Sequence, residues 1–143
     1  MAQIKLAEYT FNNSVGDVLP TLTPNTITMT KEDTVSGTTT KRIVYIDDSR
    51  LPTQISFSSK TSLLTVDYLR IDSNITSMFG MFQGCSALTS VNTSNWDTSK
   101  VNNMFALFQN TKLTSLDVSS FNTALVTNMA SMFQSCSLLT SLD

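Results

Sequence analysis

Residues 75–100 read ITSMFGMFQGCSALTSVNTSNWDTSK, residues 101–125 read VNNMFALFQNTKLTSLDVSSFNTAL, and residues 126–143 read VTNMASMFQSCSLLTSLD. Set one above another, Met78, Met104 and Met129 correspond at steps of 26 and 25, and Phe82, Phe108 and Phe133 keep the same register. Gln83, Gln109 and Gln134 directly follow each Phe. Val91, Leu116 and Leu142 correspond, as do Trp96 and Phe121, with a one-residue deletion between Thr111 and Leu113. Self-similarity at a fixed period of roughly 20–50 residues marks a repeat architecture, whose units bury their apolar faces only against neighbouring units.

Each unit has two halves. From Val126 to Cys136 the apolar groups recur at i, i+3, i+6, i+7 and i+10, a helical stripe that predicts a short helix of about ten residues. The segment Leu113-Thr-Ser-Leu116-Asp-Val118 has the L-x-x-L-x-L form of a strand in a leucine-rich repeat, whose period of roughly 20–29 residues includes this one. The expected product is a solenoid with a parallel sheet on one face, in coils 75–100, 101–125 and 126–143, the last incomplete. Its expected core is Met78, Phe82, Cys85, Leu88, Val91 and Trp96, then Met104, Phe108, Leu113, Leu116 and Phe121, then Met129, Phe133, Cys136, Leu139 and Leu142. Phe79 and Phe105 follow the core Met and point either outward or toward the strand; Ala130 takes that place in the third coil.

Upstream of these repeats the chain changes character near Asn74. Residues 1–74 carry 15 of the 20 charges and all three Pro, whereas residues 75–143 hold five of seven Met and six of eight Phe. The first part reads as β. Ile4 to Phe11 alternates with period two, and Ile27-Thr-Met-Thr30 and Arg42-Ile-Val-Tyr-Ile46 are runs of strand-forming residues. Between them Asp33–Thr38 predicts a hairpin turning at Ser36-Gly37. Residues 47–52 read as a loop and Ile55–Phe57 as a further short strand. The predicted fold is therefore α+β: an N-terminal antiparallel β unit over residues 1–60, a degenerate first coil over 61–74 containing Leu63–Asp67 and Ile71-Asp72, and the leucine-rich-repeat-like solenoid of short parallel strands and short helices over 75–143.

Composition excludes several functions. The chain has 143 residues, 14% of them charged, and a net charge of −2, while 22 Thr, 20 Ser and 11 Asn supply uncharged polar groups. No basic footprint for nucleic acid phosphates or anionic lipid is available. No histidine is present, which removes the commonest general base, the Ser-His and Cys-His pairs and every His metal site. No apolar run approaches the ~20 residues of a membrane span. The N-terminal residues lack the apolar core of a secretory signal. Neither a Gly-rich phosphate loop nor a G-x-S-x-G elbow occurs. Three Asn-x-Ser/Thr sequons, at Asn12, Asn74 and Asn92, are expected by chance in so Asn-, Ser- and Thr-rich a chain.

The pattern V-T-N-M-x-x-M-F-x-x-C-x-x-L-T-S-L-D resembles the 25–26-residue repeat of bacterial surface proteins grouped with BspA-like leucine-rich repeats. The resemblance covers residues 75–143, with Thr111 in place of Cys, Asn92 in place of Asp, and the deletion before Leu113 as departures. Trp96 and Phe121 sit where other leucine-rich repeats put Asn or Cys, so a different turn geometry is expected. The resemblance implies surface display and binding rather than catalysis, in bacterial surface proteins and in phage structural proteins. Residues 9–20 are similar to the leader unit of phage-encoded repeat proteins.

Candidate sites follow from the register. Cys85 and Cys136 lie two coils apart, roughly 10 Å at the ordinary strand spacing and beyond the Cα reach of a disulfide, so two free, buried thiols are expected. Ser90, Asn92, Ser115, Asp117, Ser141 and Asp143 form an outward-facing ladder on the strand side. It reads either as a solvated polar ladder or as a surface for a partner or glycan; stacked oxygens could hold Ca²⁺, but no metal and no cofactor is assigned. No catalytic residue is assigned. The last coil would leave Leu138, Leu139 and Leu142 beside an open sheet edge, a template for pairing, so further repeats, a protein partner or self-association is expected there. The function expected is non-enzymatic: a virion surface component of a bacterial virus, assembled in the host cytoplasm, whose repeats contact protein or glycan. The alternative is a fragment of a bacterial cell-surface adhesin. Neither reading involves nucleic acid or membrane insertion.

Overall fold

Period-two alternation in the N-terminal part produces strands long enough to pair. The computed structural model describes residues 2–13, 18–47 and 51–143. Its strands are β1 (Gln3–Asn12), β2 (Thr21–Thr23), β3 (Met29–Ser36), β4 (Thr39–Asp47), β5 (Gln54–Ser56), β6 (Leu63–Leu69), β7 (Ser90–Val91), β8 (Ser115–Leu116) and β9 (Ser141–Leu142). A five-stranded sheet runs in the order β3-β4-β1-β6-β7, with β2-β5 and β8-β9 as separate pairs. The sheet is mixed: β1 is antiparallel to β4 and β6, whereas β6 is parallel to β7. A register shift between Lys5 and Ala7 in β1 lets both Leu6 and Ala7 face inward and be fully buried, as a bulge does.

The β3–β4 hairpin pairs Ser36 with Thr39. Its two-residue loop is Gly37-Thr38, one residue beyond the expected turn, and Gly37 takes φ +59°, a conformation costly for residues with a Cβ. Buried Arg42 clamps β3 to β4, donating to both carboxylate oxygens of Asp33 at 2.6 Å and to the carbonyl of Val18 at 2.9 Å. The expected loop at residues 47–52 falls partly outside the described residues.

The α+β solenoid of strands and helices is corrected to a nearly all-β fold. No α-helix is present among the described residues. The apolar stripe is real, but its backbone hydrogen bonds do not run i to i−4 as a helix requires. In residues 78–85 alternate N–H groups divide. Met81, Gln83 and Cys85 donate to Met78, Gly80 and Phe82 in four-residue turns, while Met78, Gly80, Phe82 and Gly84 donate to Asn103, Phe105, Leu107 and Gln109 in the next unit. Positive φ recurs at Gly80 and Gly84, at Ala106 and Asn110, and at Ser131 and Ser135. Two left-handed residues per unit interrupt any helix, and the 3.6-residue period is reproduced by nested turns that aim Met78, Met81, Phe82 and Cys85 inward.

One continuous core joins the sheet to the repeat segments. Its axis is a row of phenylalanines one unit apart: Phe57 on Phe82 (5.7 Å between ring centroids), Phe82 on Phe108 (5.6 Å) and Phe108 on Phe133 (5.9 Å), all within 9° of parallel. Trp96 stacks on Phe82, Phe108 and Phe121 beside that row. The stack thus reaches upstream of residue 61. Phe57 and Ser59 donate backbone hydrogen bonds to Met81 and Gln83, as Phe82 and Gly84 do to the unit after theirs, and Ser59 has the positive φ of Gly84.

Candidate functional site

On the strand side, Ser90, Asn92, Ser115, Asp117, Ser141 and Asp143 are all exposed, alternating with inward Val91 and Leu116 as the pleat demands. Ser115 and Ser141 stand opposite one another in the parallel β8–β9 pair, but Ser90 pairs with Thr65 in the other sheet. The strand pairing thus runs from β7 to β6 and from β8 to β9, while β7 and β8 still lie side by side, the Lys112 N–H donating to the Leu88 carbonyl at 2.9 Å. The side chains of Asn92 and Asp117 each cap their own loop, and Asn92 also reaches the preceding segment. Asn92 Oδ1 accepts from the Ser94 N–H at 3.1 Å and its Nδ2 donates to the carbonyl of Asp67. Asp117 Oδ1 accepts from the Ser119 N–H at 2.8 Å, and hydrogen bonding to Ser119 holds the Asp117 carboxyl below its ordinary value. Asp97 does the same with Ser99. These are Asx turns. Asp143 enters through its backbone, donating to Leu116 and accepting from Val118.

On the turn side the three glutamines form a second row. Gln83 Nε2 donates to Gln109 Oε1 at 2.5 Å, and Gln109 Nε2 donates to Gln134 Oε1. The row borders a groove of about 620 Å³ lined by Ser59, Gln83, Gly84, Gln109, Asn110, Gln134 and Ser135. The amide oxygen of Gln83 lies over Gly80, 3.0 Å from where a Cβ would be. Beside that glycine, Phe79 points outward, 46% exposed, and stacks on half-buried Phe105 with centroids 5.2 Å apart. The glutamine register is visible in the sequence, where a hydrophilic residue holds one place through three units, but its role emerges only from the stacking.

The expected core residues Met78, Phe82, Cys85, Leu88, Val91, Trp96, Met104, Phe108, Leu113 and Leu116 are buried. Phe121, Phe133, Cys136 and Leu139 are half-buried. Met129 and Leu142 are corrected: both are 48% exposed, because residues 126–143 pack against the preceding unit on one side only. Met132, on the apolar stripe read from sequence, and its counterparts Met81 and Leu107 are buried as well, and Phe57 is a core member not foreseen.

Both cysteines are free thiols, Cys85 buried and Cys136 half-buried, so the second is less enclosed than expected. Each donates to a phenylalanine carbonyl of the unit before it, Cys85 to Phe57 and Cys136 to Phe108, at 3.0 Å. Burial pushes the Cys85 pKa up to about 12. Thr111, in the intervening position, is buried and bonds the Phe108 carbonyl at 2.9 Å. Elsewhere the charges gather on the sheet, where Lys41 and Lys5 hold the Glu8 carboxyl below its ordinary range. Among the described residues no three His, Cys, Asp or Glu side chains come together as metal ligands would, and no helix is long and apolar enough to cross a membrane.

A mixed sheet continued by units that stack at a 25–26-residue step, each carrying like side chains outward, defines a β-rich repeat protein. Residues 57–142 match the family described as Mycoplasma protein of unknown function, DUF285, and the chain belongs to that family. The match begins at Phe57, where the phenylalanine row begins. No curated protein and no solved structure matches the chain.

Proposed function

We propose that this chain is a non-catalytic binding protein displayed at a bacterial surface, whose repeats contact protein or glycan. The observation that carries the reading is the repetition of uncharged polar side chains at one-unit intervals on a rigid stack, as in the row Gln83, Gln109, Gln134. Such a row offers the same donor and acceptor at each step to a partner that itself repeats. Contacts weak singly then sum through avidity. Membership of a bacterial family, and the likeness of its repeats to BspA-like surface repeats, support the display. The lack of histidine supports a role other than acid–base catalysis. Exposed Leu125, Met129, Leu138 and Leu142, each about half accessible, are where the reading places a protein partner or a second copy.

The test is peptide mass spectrometry on the envelope fraction of source cells, before and after protease treatment of intact cells. Peptides present in the envelope and removed by protease are expected. Recovery at stoichiometric level in purified virus particles instead would overturn surface display and make the chain a virion component.

A further inference from the structure

We infer that the glutamine-lined groove is a binding site for an uncharged, extended oligosaccharide; this rests on the reading of the chain as a binding protein and names the surface and ligand class. Three observations converge on it. The groove of about 620 Å³ is lined only by amide, hydroxyl and glycine residues, with no ionisable side chain, so a charged ligand would lose its water without gaining an ion partner. A sugar hydroxyl, which both donates and accepts, meets groups that do the same.

The amides form a directed chain from Gln83 to Gln134. Each link uses one N–H and one lone pair, and an amide has two of each. One donor and one acceptor per unit therefore remain, repeated at about the 4.7–4.9 Å spacing of paired backbone. An extended chain of similar rings can satisfy them in succession. Third, the stacked rings of Phe79 and Phe105 flank the same turn, with Phe79 46% exposed. Neither ring lines the groove itself and each covers a face of the other, so the exposed surface of Phe79 would meet the C–H groups of a sugar ring that extends past the groove edge. The lone Ala130 at the third position ends the platform, placing the aromatic contact at the first two units.

The test is isothermal titration of the intact chain with neutral glucan, galactan, mannan and chitin oligomers, with a heparin oligomer as the charged comparison. Saturable binding of at least one neutral oligomer and none of heparin is expected. Gln109→Leu, which keeps the shape and deletes the amide, should weaken that binding about tenfold, one hydrogen bond's worth. Gln134→Leu, at an exposed position, gives the same test should Gln109→Leu fail to fold, and Phe79→Ala tests the platform. Asn92→Ala, on the strand side, should bind as the unaltered chain does. Binding of no neutral oligomer, equal binding by Gln134→Leu and Phe79→Ala, or loss on Asn92→Ala alone would each overturn the groove. None of these bears on surface display, which the envelope peptides decide separately.

Discussion

Phe82 lies flat between Phe57 and Phe108, its ring 5.7 Å from the first and 5.6 Å from the second, with interplanar angles of 9° and 4°. Phe57 belongs to the segment that leads into the N-terminal sheet, and Phe108 to the second of the three units read from sequence. This aromatic column thus joins the two compositional halves of the chain, beside the β6–β7 pairing and the backbone hydrogen bonds of Phe57 and Ser59 to Met81 and Gln83.

Truncating that column should be felt by the whole molecule. Phe108→Ala removes a fully buried ring with aromatic neighbours above and below, and should cost about 3–5 kcal/mol. Urea denaturation followed by circular dichroism checks this. A single transition shifted to lower urea is expected; loss confined to the repeat segments, with the sheet's transition unmoved, would show two independent units.

Trp96 should tolerate phenylalanine better than its size implies. Its Nε1 is buried with no hydrogen-bond partner among the described residues, a defect worth about 1–3 kcal/mol, and Phe121 occupies the corresponding place in the next unit. Trp96→Phe therefore offsets a small cavity with a removed orphan donor, and should change stability by less than about 1 kcal/mol. Trp96→Ala should lose about 3–5 kcal/mol. The two variants, compared by denaturant midpoint, separate packing from the polar defect.

The left-handed positions should respond to glycine with opposite signs by residue. Ser135 is exposed at φ +62°, so Ser135→Gly should gain up to about 1 kcal/mol from relieved strain. Gly84 sits at φ +73°, and an added Cβ would find only ordinary contacts near Ser59. Gly84→Ala should therefore lose about 1 kcal/mol through backbone strain alone. Thermal melts of both variants measure the pair.

Cys85 should be silent to thiol reagents at pH 8 in the folded chain and reactive only in denaturant, since burial raises its pKa from 9.0 to about 12. A raised folded-state value means the native chain holds the proton more tightly. The associated stability is complete below pH 9 and declines as pH rises from 9 toward 12, by about 1.4 kcal/mol per unit. Stability curves of the unaltered chain and of Cys85→Ala should therefore converge across that range. The depressed carboxyls of Asp117 and Asp97 act oppositely: their contribution is present above pH 3.8 and fades as pH falls below it. Asp117→Asn, which keeps the acceptor as Asn92 does, should remove that acid sensitivity and leave the turn.

The repeat register, the inward positions of Met78, Phe82 and Leu88 and the outward Ser and Asn/Asp positions were legible in the chain, because a recurring apolar residue must find a recurring apolar neighbour. The strand character of Ile4–Phe11 was legible for the same reason, through its period of two. The helix was not. An i, i+3, i+7 spacing records which side chains face inward and says nothing of where each N–H goes, and in residues 78–85 every second N–H leaves for the next unit. Hydrogen bonds to residues 25 positions away have no local signature. Nor has the role of Gln83, Gln109 and Gln134, which become a row only when the units stack. The sequence by itself determined the repeat, most of its core and its sparsely charged surface. The tertiary structure decided the backbone conformation within each unit and which polar side chains stand together, because both depend on the neighbouring unit supplying the partners.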